Sequence, residues 1–339
     1  MKVAILAPIA WRTPPEKYGP WEQVASNIAE GMVKKGLDVT LFATGNSHTS
    51  GKLEYVSKTA YAEDPSIDPK VWECLHISNL IERACEFDII HNNFDFLPLT
   101  YSRLIETPMV TTIHGFSSQK ILPVYKKYNS NNYYISISDS DRSSQLDYTA
   151  TVYNGIDSTD FTFNENPKEY LLFFGRIHPH KGTYESIQIA KKSNKKLIIS
   201  GLIQDEAYFE EKVKPFINGK DIIYVGNSGP KERDKLLGEA TALLHPISFD
   251  EPFGLSVAEA MFCGTPVIAF NRGSMPELIQ DKQTGFLVNS IEDAVNAIDS
   301  INSIDRKNCR KWAMSNFSVE KMTEAYLNVY KQILQTSNN

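Results

Sequence analysis

Short apolar runs alternate with amphipathic stretches along the whole chain, the pattern of a parallel sheet wrapped by helices. In the first half the predicted strands are Val3–Ala7, Asp38–Ala43, Phe87–His91, Met109–His114, Tyr133–Ser136 and Ala150–Tyr153. They are rich in Val and Ile and mostly lack polar alternation, as strands buried on both faces do. Between the first two lies WEQVASNIAEGMVKKG, where Val24, Ile28, Met32 and Val33 share a helical face and Gly36 is a stop signal.

The rhythm breaks at 154–169, NGIDSTDFTFNENPKE, which is rich in Asn and Asp, contains Pro167 and has no periodicity. This stretch predicts a linker. The pattern then restarts, with strands predicted at Tyr170–Phe174, Lys196–Ser200, Asp221–Val225, Ala242–His245, Pro266–Phe270 and Gly285–Val288. A final helix follows Ser318 as its cap, with Met322, Ala325, Tyr326, Val329 and Ile333 on one stripe. Two similar α/β halves predict two Rossmann-like domains facing across a cleft. Ligands in such sheets bind beyond the carboxyl ends of the strands.

Composition narrows the function classes. The chain has 339 residues, enough for two cores. Its net charge of −6 predicts no bulk attraction to nucleic acid. Cys74, Cys85, Cys263 and Cys309 are scattered with no CxxC, which fits free thiols and a cytoplasmic location. The opening apolar run reads as a first buried strand and not as a signal peptide. No apolar stretch approaches the roughly 20 residues of a membrane span.

The stretch SFDEPFGLSVAEAM, 248–261, carries Glu251 and Glu259. In a continuous helix their Cα atoms would stand roughly 12 Å apart, at about 1.5 Å per residue. The side chains would also point about 80° apart. Glycosidase carboxylates sit roughly 5–9.5 Å apart, so this is a poor acid–base pair. A better reading places Glu251 in a loop at a helix mouth and Glu259 one turn inside. Pro252 suits the first turn, and Gly254 keeps it open for a ligand. Free N–H groups at such a mouth attract phosphate, with the two acids holding hydroxyls on either side.

The segment FFGRIHPHKG, 173–182, sets Arg176 and Lys181 just past a predicted strand, where two cations would neutralise a diphosphate. His178 and His180 form an HxH with no third ligand suggested nearby, so no metal is expected. Asp139 and Asp141 are explained by a helix start capped by Ser138 or Asp139. His114 ends a strand and could orient a reacting group, or be a satisfied structural histidine. Gly19 lies at the mouth of the first helix with Pro20 at its first turn; no GxGxxG is present. Gln119–Asn129 mixes Lys120, Lys126 and Lys127 with Ile121, Leu122, Val124 and Tyr125. That mixture allows a weak peripheral membrane contact beside the plainer reading of a solvated loop.

Together these segments resemble the retaining glycosyltransferase family 4 of the GT-B fold. The resemblance runs nearly end to end: PPEKYGPWEQV, TIHG, YISISDSDR, VYNGID, GRIHPHKG, the E-x7-E block with PFG and AEAMFCGTPVIA, and the closing FSVEKMTEAYLNVY. It implies an N-terminal acceptor-side domain over 1–160, a donor-binding domain over 161–317, and a helix over 318–339 returning to the first domain. It implies a metal-independent, cofactor-free transferase that moves a hexose-type sugar from a UDP- or GDP-sugar, with retention, to an unidentified hydroxyl acceptor such as an envelope glycan or lipid.

The resemblance also assigns roles. Arg176 and Lys181 hold the diphosphate, Glu251 the sugar hydroxyls, and Glu259 the ribose hydroxyls. Backbone amides at Phe253, Gly254, Leu255 and Ser256 meet sugar and phosphates. His114 lies over the sugar, and Gly19 approaches the phosphate. One departure is Pro20, which replaces a second glycine found in many relatives and has no N–H to give. The other classes weighed are a catalytically silent nucleotide-sugar-binding protein and a sugar-nucleotide epimerase on a similar fold.

Overall fold

The computed structural model describes residues 1–115 and 119–337. The chain forms two compact units, one of Met1–Gly155 joined by the segment from Val319, the other of Ile156–Ser318. The first opens with β1 (Lys2–Leu6), α1 (Pro20–Lys34), β2 (Asp38–Phe42), β3 (Lys52–Glu54) and α2 (Pro69–Ile81). It continues with β4 (Ile89–Asn92), β5 (Met109–Ile113), α3 (Leu122–Lys127), β6 (Tyr133–Ser136) and β7 (Tyr148–Thr151). Its seven strands lie in the order β3-β2-β1-β4-β5-β6-β7, and every pairing is parallel. The central strands β1, β4 and β5 are buried almost throughout because helices cover both faces. β3 has no counterpart among the predicted strands. It is a three-residue, half-exposed edge strand, KLE, with no apolar run to announce it.

The second unit contains β8 (Leu171–Phe174), α4 (Thr183–Lys192), β9 (Leu197–Ser200), α5 (Glu206–Tyr208), β10 (Ile222–Tyr224) and α6 (Pro230–Glu239). Then come β11 (Ala242–His245), α7 (Leu255–Phe262), β12 (Val267–Phe270), α8 (Met275–Leu278), β13 (Gly285–Val288), α9 (Ile291–Asp299) and α10 (Arg306–Phe317). Six strands pair in parallel in the order β10-β9-β8-β11-β12-β13. Both units are thus Rossmann-like α/β sheets. The order reverses beside β8 and β11, the central strands whose carboxyl ends form the switch point at which such sheets bind ligands.

The predicted linker is laid against the second unit. Ile156 donates to the Phe317 carbonyl at 2.8 Å, Asn164 Nδ2 to the Gly238 carbonyl at 3.1 Å, and the Lys168 amide to the Glu239 carbonyl at 2.7 Å. Its Asn and Asp side chains satisfy backbone groups locally, and this explains why the stretch is aperiodic yet ordered. The closing helix α11 (Val319–Ser337) returns to the first unit and packs on α1. Gly31 of α1 allows the approach: a Cβ there would lie 3.1 Å from Val319 Cγ1 and would collide with Thr323. Tyr326 and Tyr330 of α11 reach the strand tips. The Tyr330 hydroxyl lies 2.6 Å from His91 Nδ1, and the Tyr326 hydroxyl 2.8 Å from Thr112 Oγ1.

Candidate active site

In the second unit, two loops leave the carboxyl ends of β8 and β11. The first passes Gly175 and Arg176 into a 3-10 turn, Pro179–Lys181, and ends at Gly182, whose φ of 76° is left-handed. The second runs from Pro246 to Gly254. The Ser248 amide donates to the His180 carbonyl at 3.0 Å and ties the two together. His178 and His180 pack edge to face at 4.7 Å, and His180 stacks on Phe249. Among the described residues no group of three His, Cys, Asp or Glu side chains could hold a metal ion.

The loops bring Lys181 and Glu251 together, seventy residues apart in sequence. Lys181 Nζ donates to Glu251 Oε2 and lies 4.9 Å above the Phe249 ring. His245 Nε2 stands 3.6 Å from the same carboxylate oxygen. The side chains are only 14 % and 11 % exposed for Lys181 and Glu251, so this charge pair is poorly screened. Burial pushes the Glu251 carboxyl up, but Lys181 and His245 overcome it and hold the group at about 2. Glu251 is therefore ionised and engaged. Arg176 lies at the same end of the sheet, half-buried, with Nη1 donating to Gln204 Oε1 at 2.5 Å.

The mouth of α7 forms as the sequence predicts. Gly254 is its N-cap at φ 92°, with no side chain capping the helix. A Cβ at Gly254 would lie 2.8 Å from Met275 Cε, so glycine is required for conformation and for space. Leu255 and Ser256 occupy the half-exposed first turn. Phe253 is different: its ring is 2 % exposed and meets Phe317 edge to face at 5.8 Å, and its carbonyl accepts from Ser274 Oγ at 2.7 Å.

Glu259 lies one turn further in and is 5 % exposed. It pairs with Arg233 of α6 at 3.2 Å, and the guanidinium lies 5.3 Å above the Phe161 ring. Burial raises the Glu259 carboxyl, and Arg233 draws it back. Sequence reasoning missed both Arg233 and His245. KERDKLL reads as a solvated helix face, and His245 closes an apolar strand. Only the fold shows that each faces a glutamate of the motif.

The first unit gathers a second set of groups. His114, just past β5, is 8 % exposed, and its Nε2 lies 3.0 Å from Asn93 Oδ1. Trp21 of α1 stacks on it at 5.8 Å. Burial depresses the His114 imidazole to about 3, so it is neutral at pH 7. Gly19 caps α1 with φ 152°. Beside it, Glu22 is 3 % exposed and accepts from the Trp11 amide at 3.1 Å. Burial raises its carboxyl to about 7. A folded-state value above the usual carboxylate range means that folding favours the protonated form. Stability from this group is complete below about pH 4.5 and is lost as pH rises to 7. Glu22→Gln, which keeps the acceptor oxygen and cannot ionise, is expected to match wild type near pH 4.5. At pH 8 it is expected to be more stable by about 2–3 kcal/mol in urea unfolding. Equal stabilities at pH 8 would refute a buried charge at this position.

Two expected features differ in the structure. Residues 137–141 form a turn and not a helix: Asp139 accepts from Thr151 Oγ1, and Ser138 Oγ accepts from the Asp141 amide at 3.2 Å. Within Gln119–Asn129 the apolar side chains face inward. Leu122 and Tyr125 are in the core, and Ile121 and Val124 pack against it. Lys120, Lys126 and Lys127 are exposed beside Pro123, with Ile121 and Val124 half-buried. No helix among the described residues is long and apolar enough to cross one.

Comparison with known proteins decides the family. The family described as Glycosyl transferases group 1 matches residues 157–316, and Glycosyltransferase Family 4 matches residues 21–160. The chain belongs to the GT-B glycosyltransferases. Among these relatives is an uncharacterized glycosyltransferase of Methanocaldococcus jannaschii, 23 % identical over 98 % of both chains. An uncharacterized 41.2 kDa protein in the cps region of Klebsiella pneumoniae is 32 % identical, but the match spans 50 % of this chain and 48 % of that one. The chain thus aligns with about half the length of that relative. The same fold is found in sucrose-phosphate synthase from Thermosynechococcus elongatus, with TM-score 0.80, 18 % identity and coverage of 99 % and 100 %. It is also found in the Anabaena protein HepE in complex with UDP and glucose, with TM-score 0.75, 19 % identity and coverage of 98 % and 100 %.

Proposed function

We propose that this GT-B protein is a retaining, metal-independent transferase that moves a hexose-type sugar from a UDP- or GDP-sugar to a hydroxyl acceptor. The observation that carries the reading is the Lys181–Glu251–His245 cluster beside the uncapped mouth of α7, at the carboxyl ends of β8 and β11. The crystal structure of HepE, which shares the fold, is of a complex with UDP and glucose, and this supports the donor class.

In this reading Arg176, Lys181 and the amides of Leu255 and Ser256 stabilise the charge that grows on the leaving diphosphate. Glu251 releases Lys181 to the phosphate and accepts from sugar hydroxyls, while Glu259 accepts from the ribose. The acceptor oxygen bonds to the anomeric carbon on the face that the phosphate leaves. The acceptor proton passes to the departing phosphate oxygen, and configuration is retained. Glu251 serves the sugar hydroxyls in this reading and not as a nucleophile, so the acceptor attacks the anomeric carbon directly. His114, neutral and held near Asn93 and Trp21, serves as a hydrogen-bonding group toward the sugar, and the Gly19 loop serves the phosphate.

Calorimetry with UDP, GDP, ADP and their glucose, N-acetylglucosamine and mannose conjugates tests the reading. One nucleotide is expected to bind. Arg176→Ala should weaken it by about 10- to 100-fold, the worth of one charge-assisted hydrogen bond. Binding of none, or equal binding by the variant, would remove the main support. Turnover of the donor then separates a transferase from a silent binding protein.

A further inference from the structure

His245 ends β11, where its backbone pairs with Ala269 of β12 and Pro246 follows it. The side chain is buried, and its Nε2 has no hydrogen-bond partner among the described residues. That nitrogen stands 3.6 Å from Glu251 Oε2, just beyond the reach of an N–H···O bond, about 2.7–3.2 Å. A bare ring nitrogen facing a carboxylate oxygen would be repelled, so the hydrogen sits on Nε2. A buried donor left unpaired is costly. Phenylalanine or leucine would fill the space without that cost, so packing does not explain a histidine here.

Glu251 Oε2 is meanwhile taken by Lys181. The two donors differ in freedom. His245 is fixed on a strand, whereas Lys181 carries its point charge on a flexible four-carbon stem. The Glu251 backbone is fixed as well. Its carbonyl accepts from the Ser274 amide at 3.0 Å, and Arg272 Nη1 donates to the Ser248 carbonyl of the same loop at 2.7 Å. A diphosphate at the α7 mouth competes with Glu251 for Lys181. When the ammonium turns to the phosphate, a buried carboxylate loses its hydrogen bond, and the His245 Nε2–H stands beside the vacated oxygen. A shift of less than about 1 Å in the carboxylate closes that contact. Both donors address Oε2, which leaves Oε1 to the sugar hydroxyls.

We propose that His245 is the positioning residue of Glu251: it takes over Oε2 when a bound diphosphate draws Lys181 away. Its part in sugar transfer rests on the transferase reading; the exchange of donors at Glu251 is tested without any substrate.

Proton–nitrogen NMR of the His245 ring, in ligand-free protein at pH 7, reads the exchange directly. Lys181→Met removes the ammonium and keeps the stem, which imitates its departure. The Nε2–H proton should move downfield in that variant as the bond to Glu251 forms. An unmoved resonance, or a ring protonated on Nδ1 alone, overturns the proposal. Calorimetry with pyrophosphate, UDP and GDP reads the consequence, with folding of each variant checked by circular dichroism. His245→Phe should weaken whichever of these binds wild type by about three- to tenfold, the worth of one hydrogen bond. His245→Gln, whose amide nitrogen reaches the place of Nε2, should restore most of the affinity. Binding by His245→Phe equal to wild type, or an equal loss in both variants, overturns the proposal. Binding of none of the three by wild type would fault the transferase reading, and the ring resonance would still decide the place of His245.

Discussion

Lys181→Ala is expected to cut sugar transfer by about 10²- to 10³-fold in kcat/KM, the loss typical of removing one preorganised group from developing charge. The change does two things at once. It removes the ammonium proposed for the diphosphate, and it strands Glu251, which is 11 % exposed in its side chain. Burial would then prevail over the remaining help from His245, and the Glu251 carboxyl would rise from about 2. In wild type this depressed group contributes stability above about pH 4.5, lost as pH falls through about 2. In the variant the sign reverses, because a raised carboxyl loses stability as pH increases. The stability gap between the two proteins should therefore be widest at neutral pH and narrow toward pH 3. Urea midpoints at pH 7 and pH 3 measure it, beside transfer kinetics. Lys181→Ala with full activity, or a gap that does not change with pH, would show that the pair is ornamental.

Gly182→Ala is expected to be among the most damaging single methyl groups in the second unit. Gly182 sits at φ 76°, which costs an L-residue roughly 1–2 kcal/mol. The added Cβ would also overlap the Pro246 carbonyl, a backbone atom at the root of the loop that carries Glu251. Neither side can yield cheaply, since α4 begins at Thr183 and β11 ends at His245. We expect a loss of about 3–5 kcal/mol in urea unfolding, in the range reserved for overpacking and strained backbone. If the variant folds, the Pro179–Lys181 turn must lift away from Pro246. Nucleotide affinity should then fall with stability. A variant within about 0.5 kcal/mol of wild type, typical of a surface change, would show that the two loops are not in contact.

These effects mark where sequence reasoning reached and where it stopped. The α/β alternation was legible because parallel strands buried on both faces need uninterrupted apolar runs, as in LLFF of β8 and ALLH of β11. The edge strand KLE was not, because an edge pairs on one side and needs no such run. The α7 mouth was legible from Pro252 and Gly254, whose backbone preferences are local. The segment 119–129 was misleading, since its apolar content alone does not say which way it faces. In the structure Leu122 and Tyr125 turn into the core.

By itself, the sequence determined two α/β units, the apolar stripe of the closing helix, and which residues share the loops at Arg176–Lys181 and Glu251–Glu259. Each of those features is written in residues within one turn or one strand of each other. Only the tertiary structure decided the partners. Lys181 meets Glu251, Arg233 meets Glu259, His245 leans on Glu251, and Glu22 holds Trp11. These contacts join residues 6 to 70 positions apart, and they depend on which loops and strands become neighbours in the fold. They also depend on burial, which gives a carboxyl a value of about 2 at Glu251 and about 7 at Glu22. A glutamate's environment is a property of everything packed around it, and local sequence does not carry that information.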